Sequence, residues 1–190
     1  MQKALDFVKK YNLFIENGHN LKNPFSWLYG LIAIVNALFP LLMLVNAINY
    51  GVFRNPFQFI LLFLLLWVII AALGAYSFLL WWDRKDKVAE YASSNKDEFI
   101  ITPVVSHLIK TTGEWLGTYI GVAGAIISLI VVIFGGRNIV ASLGFTSFAN
   151  TGVFGIILFP IFGFLIIAVS RFFAEQFRAL TSIANNTKKS

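Results

Sequence analysis

The chain has 190 residues, of which 58% are hydrophobic and 13% are charged, whereas a soluble domain has roughly 45–50% apolar and about 25% charged residues. This composition excludes an ordinary soluble domain. The net charge of +6 does not indicate nucleic-acid binding, because basic residues collect beside membrane spans on the cytoplasmic side. The chain contains no cysteine, which excludes disulfides, thiolate nucleophiles and cysteine-rich metal sites.

Four uncharged runs predict four transmembrane helices. The runs contain 31, 28, 22 and 33 residues and begin after Lys22, Arg54, Glu114 and Arg137. A helix needs about 20 apolar residues to cross the hydrocarbon core of a bilayer, so each run holds one span. We therefore predict an all-α membrane protein, an antiparallel bundle of four transmembrane helices.

Residues 1–22 are predicted to form an amphipathic cytoplasmic or interfacial segment. Apolar side chains recur at a helical spacing within residues 2–16, from Leu5 to Ile15, and lysines lie on the more polar side. A basic amphipathic helix of this kind either lies in the membrane interface or packs on another cytoplasmic segment. The sequence leaves both positions open.

The first transmembrane hairpin is predicted at residues 23–82. An Asn-Pro pair at Asn23 and another at Asn55 predict where its two helices begin. Asn caps helix N-termini well, and Pro suits the first helical position. Pro40 falls inside the first helix and Pro160 inside the fourth. Each proline is predicted to kink its helix, because it removes a backbone hydrogen bond.

Residues 83–114 are predicted to be a cytoplasmic loop that contains a short helix. Thr102, which is followed by proline, is typical of a helix start, and Gly113 is expected to separate this short helix from the third span. The second transmembrane hairpin follows at residues 115–170. The last helix is then predicted to continue into a cytoplasmic helical tail at residues 171–190.

Small residues on the third span predict a packing seam. Gly117, Gly121 and Ala125 are spaced by four residues, a pattern that lets two helix backbones approach closely in a membrane. The seam lies either within one chain or between subunits, and the sequence does not decide between them. Asn36, near the middle of the first span, is predicted to be the best polar contact between helices.

The tail carries three charged residues that we predict as candidates for docking a partner. Arg171, Glu175 and Arg178 fall at i, i+4 and i+7, so they share a helix face and can form ion pairs. An apolar stripe that includes Phe173 and Phe177 lies beside them. This helix either packs on the preceding cytoplasmic loop or offers a docking surface to another protein.

Catalytic and metal chemistry finds little support in the sequence. The only two histidines are His19 and His107, both outside the predicted spans, so we expect no haem, no tightly bound transition metal and no other cofactor. Adjacency of Ser106 and His107 is not the geometry of a catalytic pair. An enzyme acting on lipid would need a polar cluster at the interface, for which Glu114, His107 and Arg171 are the plausible members.

Two stretches resemble small four-span bacterial membrane proteins of unknown function. The first runs from Thr102-Pro103-Val104-Val105-Ser106-His107 through Gly113-Glu114-Trp115-Leu116-Gly117, and the second is the tail Ala179-Leu180-Thr181-Ser182-Ile183-Ala184-Asn185-Asn186-Thr187. The resemblance implies a location in a bacterial inner membrane and brings no catalytic residues with it.

The expected function is that of a non-catalytic inner-membrane subunit or scaffold that binds partner proteins through its cytoplasmic segments. Membrane lipids surround it, and we expect a homo-oligomer or a heteromeric membrane complex. One alternative is a homo-oligomeric channel or conduit. The other is an enzyme that acts on membrane lipids.

The distribution of basic residues predicts the orientation. Of 15 Lys and Arg residues, all but Arg54 and Arg137 lie in the N-terminal segment, the central loop and the tail, so the positive-inside rule places both termini in the cytoplasm. Reporter fusions at Asn95 and Ser190 should report the cytoplasm, and a fusion at Gly136 the opposite side. A periplasmic signal from Asn95 would overturn this orientation.

Overall fold

A computed structural model describes residues 22–91, 101–135, 137–141 and 146–187 of the chain. These residues form α1 (Lys22–Asn49), a 3-10 turn (Val52–Arg54), α2 (Phe57–Tyr91), α3 (Ile101–Phe134), α4 (Arg137–Val140), α5 (Thr146–Ala149) and α6 (Val153–Thr187). The predicted amphipathic helix at residues 2–16 lies outside the described residues, as do His19 and the three positions proposed for reporter fusions.

The four long helices α1, α2, α3 and α6 are each long and apolar enough to cross a membrane. No β-strand occurs among the described residues. The prediction of an all-helical protein with four helices of membrane-spanning length is therefore confirmed. Most large apolar side chains of α1 and α6 are exposed, which suits helices that face lipid rather than water.

A tight turn connects α1 to α2. Gly51 adopts a left-handed conformation with φ of 67°, which glycine reaches without a steric penalty. The side-chain amide of Asn55 donates to the carbonyl oxygens of Gly51 (3.2 Å) and Val52 (3.0 Å). Asn55 thus closes the turn from within and does not cap α2, which begins at Phe57, one residue after the first helical position predicted at the proline.

The predicted break at Gly113 is wrong, because α3 runs without interruption from Ile101 to Phe134. The expected short helix of the 83–114 loop is the first part of this long helix. The glycine serves packing instead: a Cβ atom at position 113 would overlap the side chain of Ser170 on α6. A helix interior tolerates one glycine at a cost of about 1 kcal/mol relative to alanine.

Contacts divide the long helices into two close pairs, α1 with α2 and α3 with α6, and α2 also contacts α3. In the first pair Gly30 lies beside Lys85, and Asn36 beside Gly74. Residues that come later in α1 therefore meet residues that come earlier in α2. The second pair has the same order of contacts, from Gly113 beside Ser170 to Gly124 beside Phe159.

Gly117 and Gly121 lie against α6 within a single chain. A Cβ atom at Gly117 would overlap the carbonyl oxygen of Gly163 and lie 2.6 Å from Ile167 Cγ1, whereas one at Gly121 would meet nothing closer than 3.5 Å. Ala125 is half-buried and lines an open groove beside this contact. The small-residue stripe therefore forms an intrachain seam at Gly117, while Gly121 has space for a methyl group.

Asn36 has a different partner from the predicted interhelical one. Its side-chain amide donates to the Ile32 carbonyl oxygen of the same helix at 2.8 Å. The Asn36 backbone carbonyl, which Pro40 leaves without a helical N–H donor, would lie 2.9 Å from a Cβ atom at Gly74. Glycine thus lets α2 pack directly on this part of α1. Pro40 and Pro160 both lie inside continuous helices, and the kinks stay a prediction.

Two alanine substitutions test the intrachain seam, because they are expected to change stability differently. We expect Gly117→Ala to destabilise the protein by about 1–3 kcal/mol, the usual cost of overpacking, because its methyl group meets backbone. Gly121→Ala should be neutral or slightly stabilising, since a helical Gly→Ala change gains up to about 1 kcal/mol and the space is present. Thermal unfolding of both variants in mild detergent measures the difference, and equal midpoints would contradict this seam.

Candidate functional site

A cluster of polar side chains lies at one end of the bundle, around Glu114. Glu114 is 20 residues from the end of α3 at Phe134, about 30 Å at 1.5 Å per residue. Arg171 is 18 residues from the start of α6 at Val153, or about 27 Å. These lengths match the roughly 30 Å hydrocarbon core of a bilayer, so a bilayer crossed by α3 and α6 would have one boundary at the level of the cluster.

Glu114 is the centre of the cluster. Its side chain is only 8% exposed, and its two carboxylate oxygens accept hydrogen bonds from arginines of two other helices. Arg84 of α2 binds Oε2, while Arg171 of α6 binds Oε1 through Nη2 at 2.6 Å and Nε at 2.8 Å. A buried carboxylate is costly unless it is paired and hydrogen-bonded, and both conditions are met here.

Thr111 extends the cluster one turn along α3. Its hydroxyl accepts a hydrogen bond from Arg84 Nη1 at 3.1 Å and donates to the His107 carbonyl oxygen at 2.9 Å. Thr111 is fully buried, and the Arg84 side chain is 18% exposed. The two hydrogen bonds fix the guanidinium of Arg84 from a second side, which orients it toward Glu114.

His107 connects the cluster to α1. Its Nδ1 atom lies 2.9 Å from the hydroxyl of Tyr29, and both side chains are buried. The Tyr29 ring also makes an edge-to-face contact with Trp81 of α2, with ring centroids 4.9 Å apart. His107 is therefore buried, because the first turns of α3 pack against α1, α2 and α6.

Ser106 and His107 point to different helices. The Ser106 hydroxyl donates to the Ala174 carbonyl oxygen of α6 at 2.6 Å and accepts from Arg178 Nε at 3.2 Å. His107 faces Tyr29 of α1 instead. Adjacent residues of a helix diverge by about 100°, so these two side chains hold two neighbours and do not form a catalytic pair.

Two tryptophans border the cluster on its apolar side. Trp115 Nε1 donates to the buried Ser77 hydroxyl at 2.9 Å, and Ser77 donates to the Leu73 carbonyl oxygen at 2.7 Å. Trp81 stacks edge-to-face on Trp115 with centroids 6.0 Å apart, and its buried Nε1 finds no hydrogen-bond partner among the described residues. The indoles thus close the cluster toward the membrane interior.

Two of the three predicted docking residues have partners within the chain. The expected pairing of Arg171 with Glu175 on one helix is replaced by the pairing of Arg171 with Glu114. Arg178 reaches Ser106, while Glu175 is exposed. The i, i+4 spacing indicates which side chains can meet on one helix, and it carries no information about a carboxylate that is 57 residues away in sequence.

Sequence reasoning named Glu114, His107 and Arg171 as the members of a possible polar cluster, and the structure brings Glu114 and Arg171 into contact. It missed Arg84, Thr111 and Tyr29. One signal was present: Glu114 is the only acidic residue between residues 99 and 174. An isolated acid beside a span needs basic partners from other helices.

The cluster joins α2, α3 and α6 through the ion pairs of Glu114. Both carboxylate oxygens of Glu114 are taken by arginines, so it offers no free general base. Four grooves on the described helices are lined by other residues and not by Glu114 or His107. Within the described part of the chain, no three His, Asp or Glu side chains are grouped as a metal would need.

The described residues belong to an all-helical protein that has four helices long and apolar enough to cross a membrane. Comparison with known protein families, with curated proteins and with solved structures finds no match.

The ion pairs give a direct test in Glu114→Gln. The substitution keeps the shape of the side chain and leaves Arg84 and Arg171 without an opposing charge. Removing one partner of a buried pair costs about 3–5 kcal/mol, and we expect the lower end because Arg171 is 55% exposed. Thermal or denaturant unfolding in detergent measures the loss.

The matched control is Asp83→Asn, which breaks the exposed pair of Asp83 with Lys87. An exposed pair of this kind contributes little to stability, because water screens the two charges and pairing costs side-chain freedom. If Glu114→Gln costs no more than Asp83→Asn, the cluster does not stabilise the bundle.

Proposed function

We propose that this chain is a non-catalytic inner-membrane subunit or scaffold of a bacterium, and that it binds a partner protein through the end of α6. The observation that supports the proposal most is an exposed apolar face on α6 beyond the Glu114 cluster. We call this surface the tail face. It consists of Phe172 (56% exposed), Phe173 (50%), Phe177 (38%), Leu180 (61%) and Ile183 (62%).

The tail face lies apart from the side of α6 that packs on α3. Phe173, Phe177 and Leu180 are spaced i, i+4 and i+7 and share one side of the helix. Ala174 and Thr181, which are spaced i and i+7, are buried, and the Ala174 carbonyl accepts from Ser106 of α3. Packing among the described residues therefore does not use the tail face, which stays available to another surface.

The length of α6 supports a position of most of the tail face beyond the hydrocarbon core. α6 continues for 16 residues after Arg171, about 24 Å at 1.5 Å per residue, and Arg171 is at the membrane boundary. Three phenylalanines and two aliphatic side chains in such a position favour a protein–protein contact, because a contiguous exposed apolar patch outside lipid marks an interaction site.

The orientation is part of the proposal. We place the four helices as an antiparallel bundle with the Glu114 cluster, both termini and the extension of α6 on the cytoplasmic side. The basic residues support this, since the ends of α2, α3 and α6 near the cluster carry Lys85, Lys110 and Arg178, while the opposite connections carry Arg54 and Arg137.

Neither alternative function gains support from the polar side chains. A conduit needs polar groups that face a wet axis, but Asn36 bonds within its own helix. Ser77 is bonded to Trp115 and Leu73, and Ser128 to Thr151. A lipid enzyme needs an accessible acid or base, and Glu114 is enclosed by arginines. We therefore favour binding over transport and catalysis.

A photo-crosslinking amino acid placed at Leu180 tests the partner contact. In native membranes we expect it to form adducts with a second protein, because its side chain is 61% exposed on the tail face. The matched control is the same amino acid at Ser182, which is exposed on another side of the same helix. Mass analysis of the adducts identifies what each position contacts.

Adducts at Leu180 with lipid alone, or with this same chain alone, would contradict binding of a different protein through the tail face. Equal protein adducts at Ser182 would show that the contact is not specific to this face. As a second measurement, Phe177→Ser with Leu180→Ser should lose the partner on purification in mild detergent while the unfolding midpoint stays unchanged.

A further inference from the structure

A groove of about 480 Å³ lies between α1 and α2 at the charged end of the bundle. We call it the Lys85 groove. Ser26, Trp27 and Gly30 of α1 form one side, and Trp82 and Lys85 of α2 form the other. It is separate from the Glu114 cluster, whose residues do not line it, and separate from the tail face on α6.

Packing does not account for the glycine in its floor. A Cβ atom at Gly30 would meet only Lys85 Cδ, at an ordinary 3.6 Å, whereas Cβ atoms at Gly74 and Gly163 would come within 3.0 Å of the neighbouring helix. A glycine in a helix costs about 1 kcal/mol relative to alanine. At Gly74 close packing explains the glycine, and at Gly30 the missing side chain keeps the groove open.

The charged group of the groove has no acidic partner among the described residues. Arg84 is paired with Glu114 and Lys87 with Asp83, but no ion pair of the described residues includes Lys85. The Lys85 ammonium lies 4.1 Å from the centre of the Trp82 ring, a cation–π contact that holds it in the groove. The groove therefore presents one fixed positive charge beside an aromatic surface.

The groove changes from polar to apolar along α1. Ser26, Trp27 and Lys85 lie at the end near the helix start, and the wall continues through Leu31 and Ile34, which are 60% and 46% exposed. Gly30 is next in sequence to Tyr29 of the Glu114 cluster, so the polar end lies at the membrane boundary. Trp27 is 79% exposed, as tryptophans at the headgroup level are.

We propose that the Lys85 groove binds one anionic glycerophospholipid. The headgroup phosphate meets the Lys85 ammonium and the Ser26 hydroxyl, Trp27 and Trp82 flank it, and one acyl chain lies along Leu31 and Ile34. A phosphate supplies the negative charge that the described residues do not provide beside Lys85, and the apolar side chains below it favour a ligand with an acyl chain. The site does not depend on the partner protein proposed for the tail face.

Native mass spectrometry of the full chain in mild detergent tests the site. The probes are dioleoyl phosphatidylglycerol, dioleoyl phosphatidylcholine with the same acyl chains, and inorganic phosphate. We expect the wild type to prefer phosphatidylglycerol. Lys85→Gln should reduce that preference about fivefold, the effect of one basic residue near an anionic lipid surface. Lys87→Gln makes the same change in net charge outside the groove and should leave the preference intact.

Equal losses for Lys85→Gln and Lys87→Gln would overturn the site, because they would indicate general charge attraction. Competition by inorganic phosphate at the concentration of the lipid would overturn a lipid ligand. Gly30→Leu fills the floor and should weaken the binding of both lipids. If it leaves phosphatidylglycerol binding unchanged, the groove is not the site.

Discussion

One buried carboxylate holds three of the four long helices at a common level. Glu114 of α3 is bound by Arg84 of α2 and Arg171 of α6, and His107 extends the same network to Tyr29 of α1. In lipid, apolar contact between helices contributes little to association, because lipid tails are as apolar as the side chains. Charge pairing and close backbone packing therefore decide which helix faces pack together. Among these contacts, the ion pairs of Glu114 involve the most helices.

Two kinds of contact hold the long helices together. Glycines allow close approach within each pair of helices, at Gly74 for α1 with α2 and at Gly117 and Gly163 for α3 with α6. The Glu114 cluster connects one pair to the other at the membrane boundary. The Glu114 carboxylate is satisfied within the chain by its two arginines, and we assign binding to two other surfaces, the tail face and the Lys85 groove.

The number and type of the long helices could be predicted because they follow from local composition, namely uncharged runs long enough to cross a bilayer. The predictions that were wrong depend on contacts between residues that are distant in sequence. Gly113 was expected to end a helix and instead makes room for Ser170. Arg171 was expected to pair along its own helix, but a second carboxylate from α3 is within reach only once α3 and α6 pack together. A single sequence gives the periodicity of each helix and not the rotation of one helix against another.

The most direct measurement of this arrangement is the distance between the two helix pairs near the cluster. The chain has no native cysteine, so spin labels can be attached at Asp86→Cys and Gln176→Cys, two exposed positions on α2 and α6. We expect a single narrow distance distribution by pulsed electron paramagnetic resonance, and a broader one when Glu114→Gln is added. An unchanged narrow distribution with Glu114→Gln would contradict the claim that Glu114 holds the pairs together.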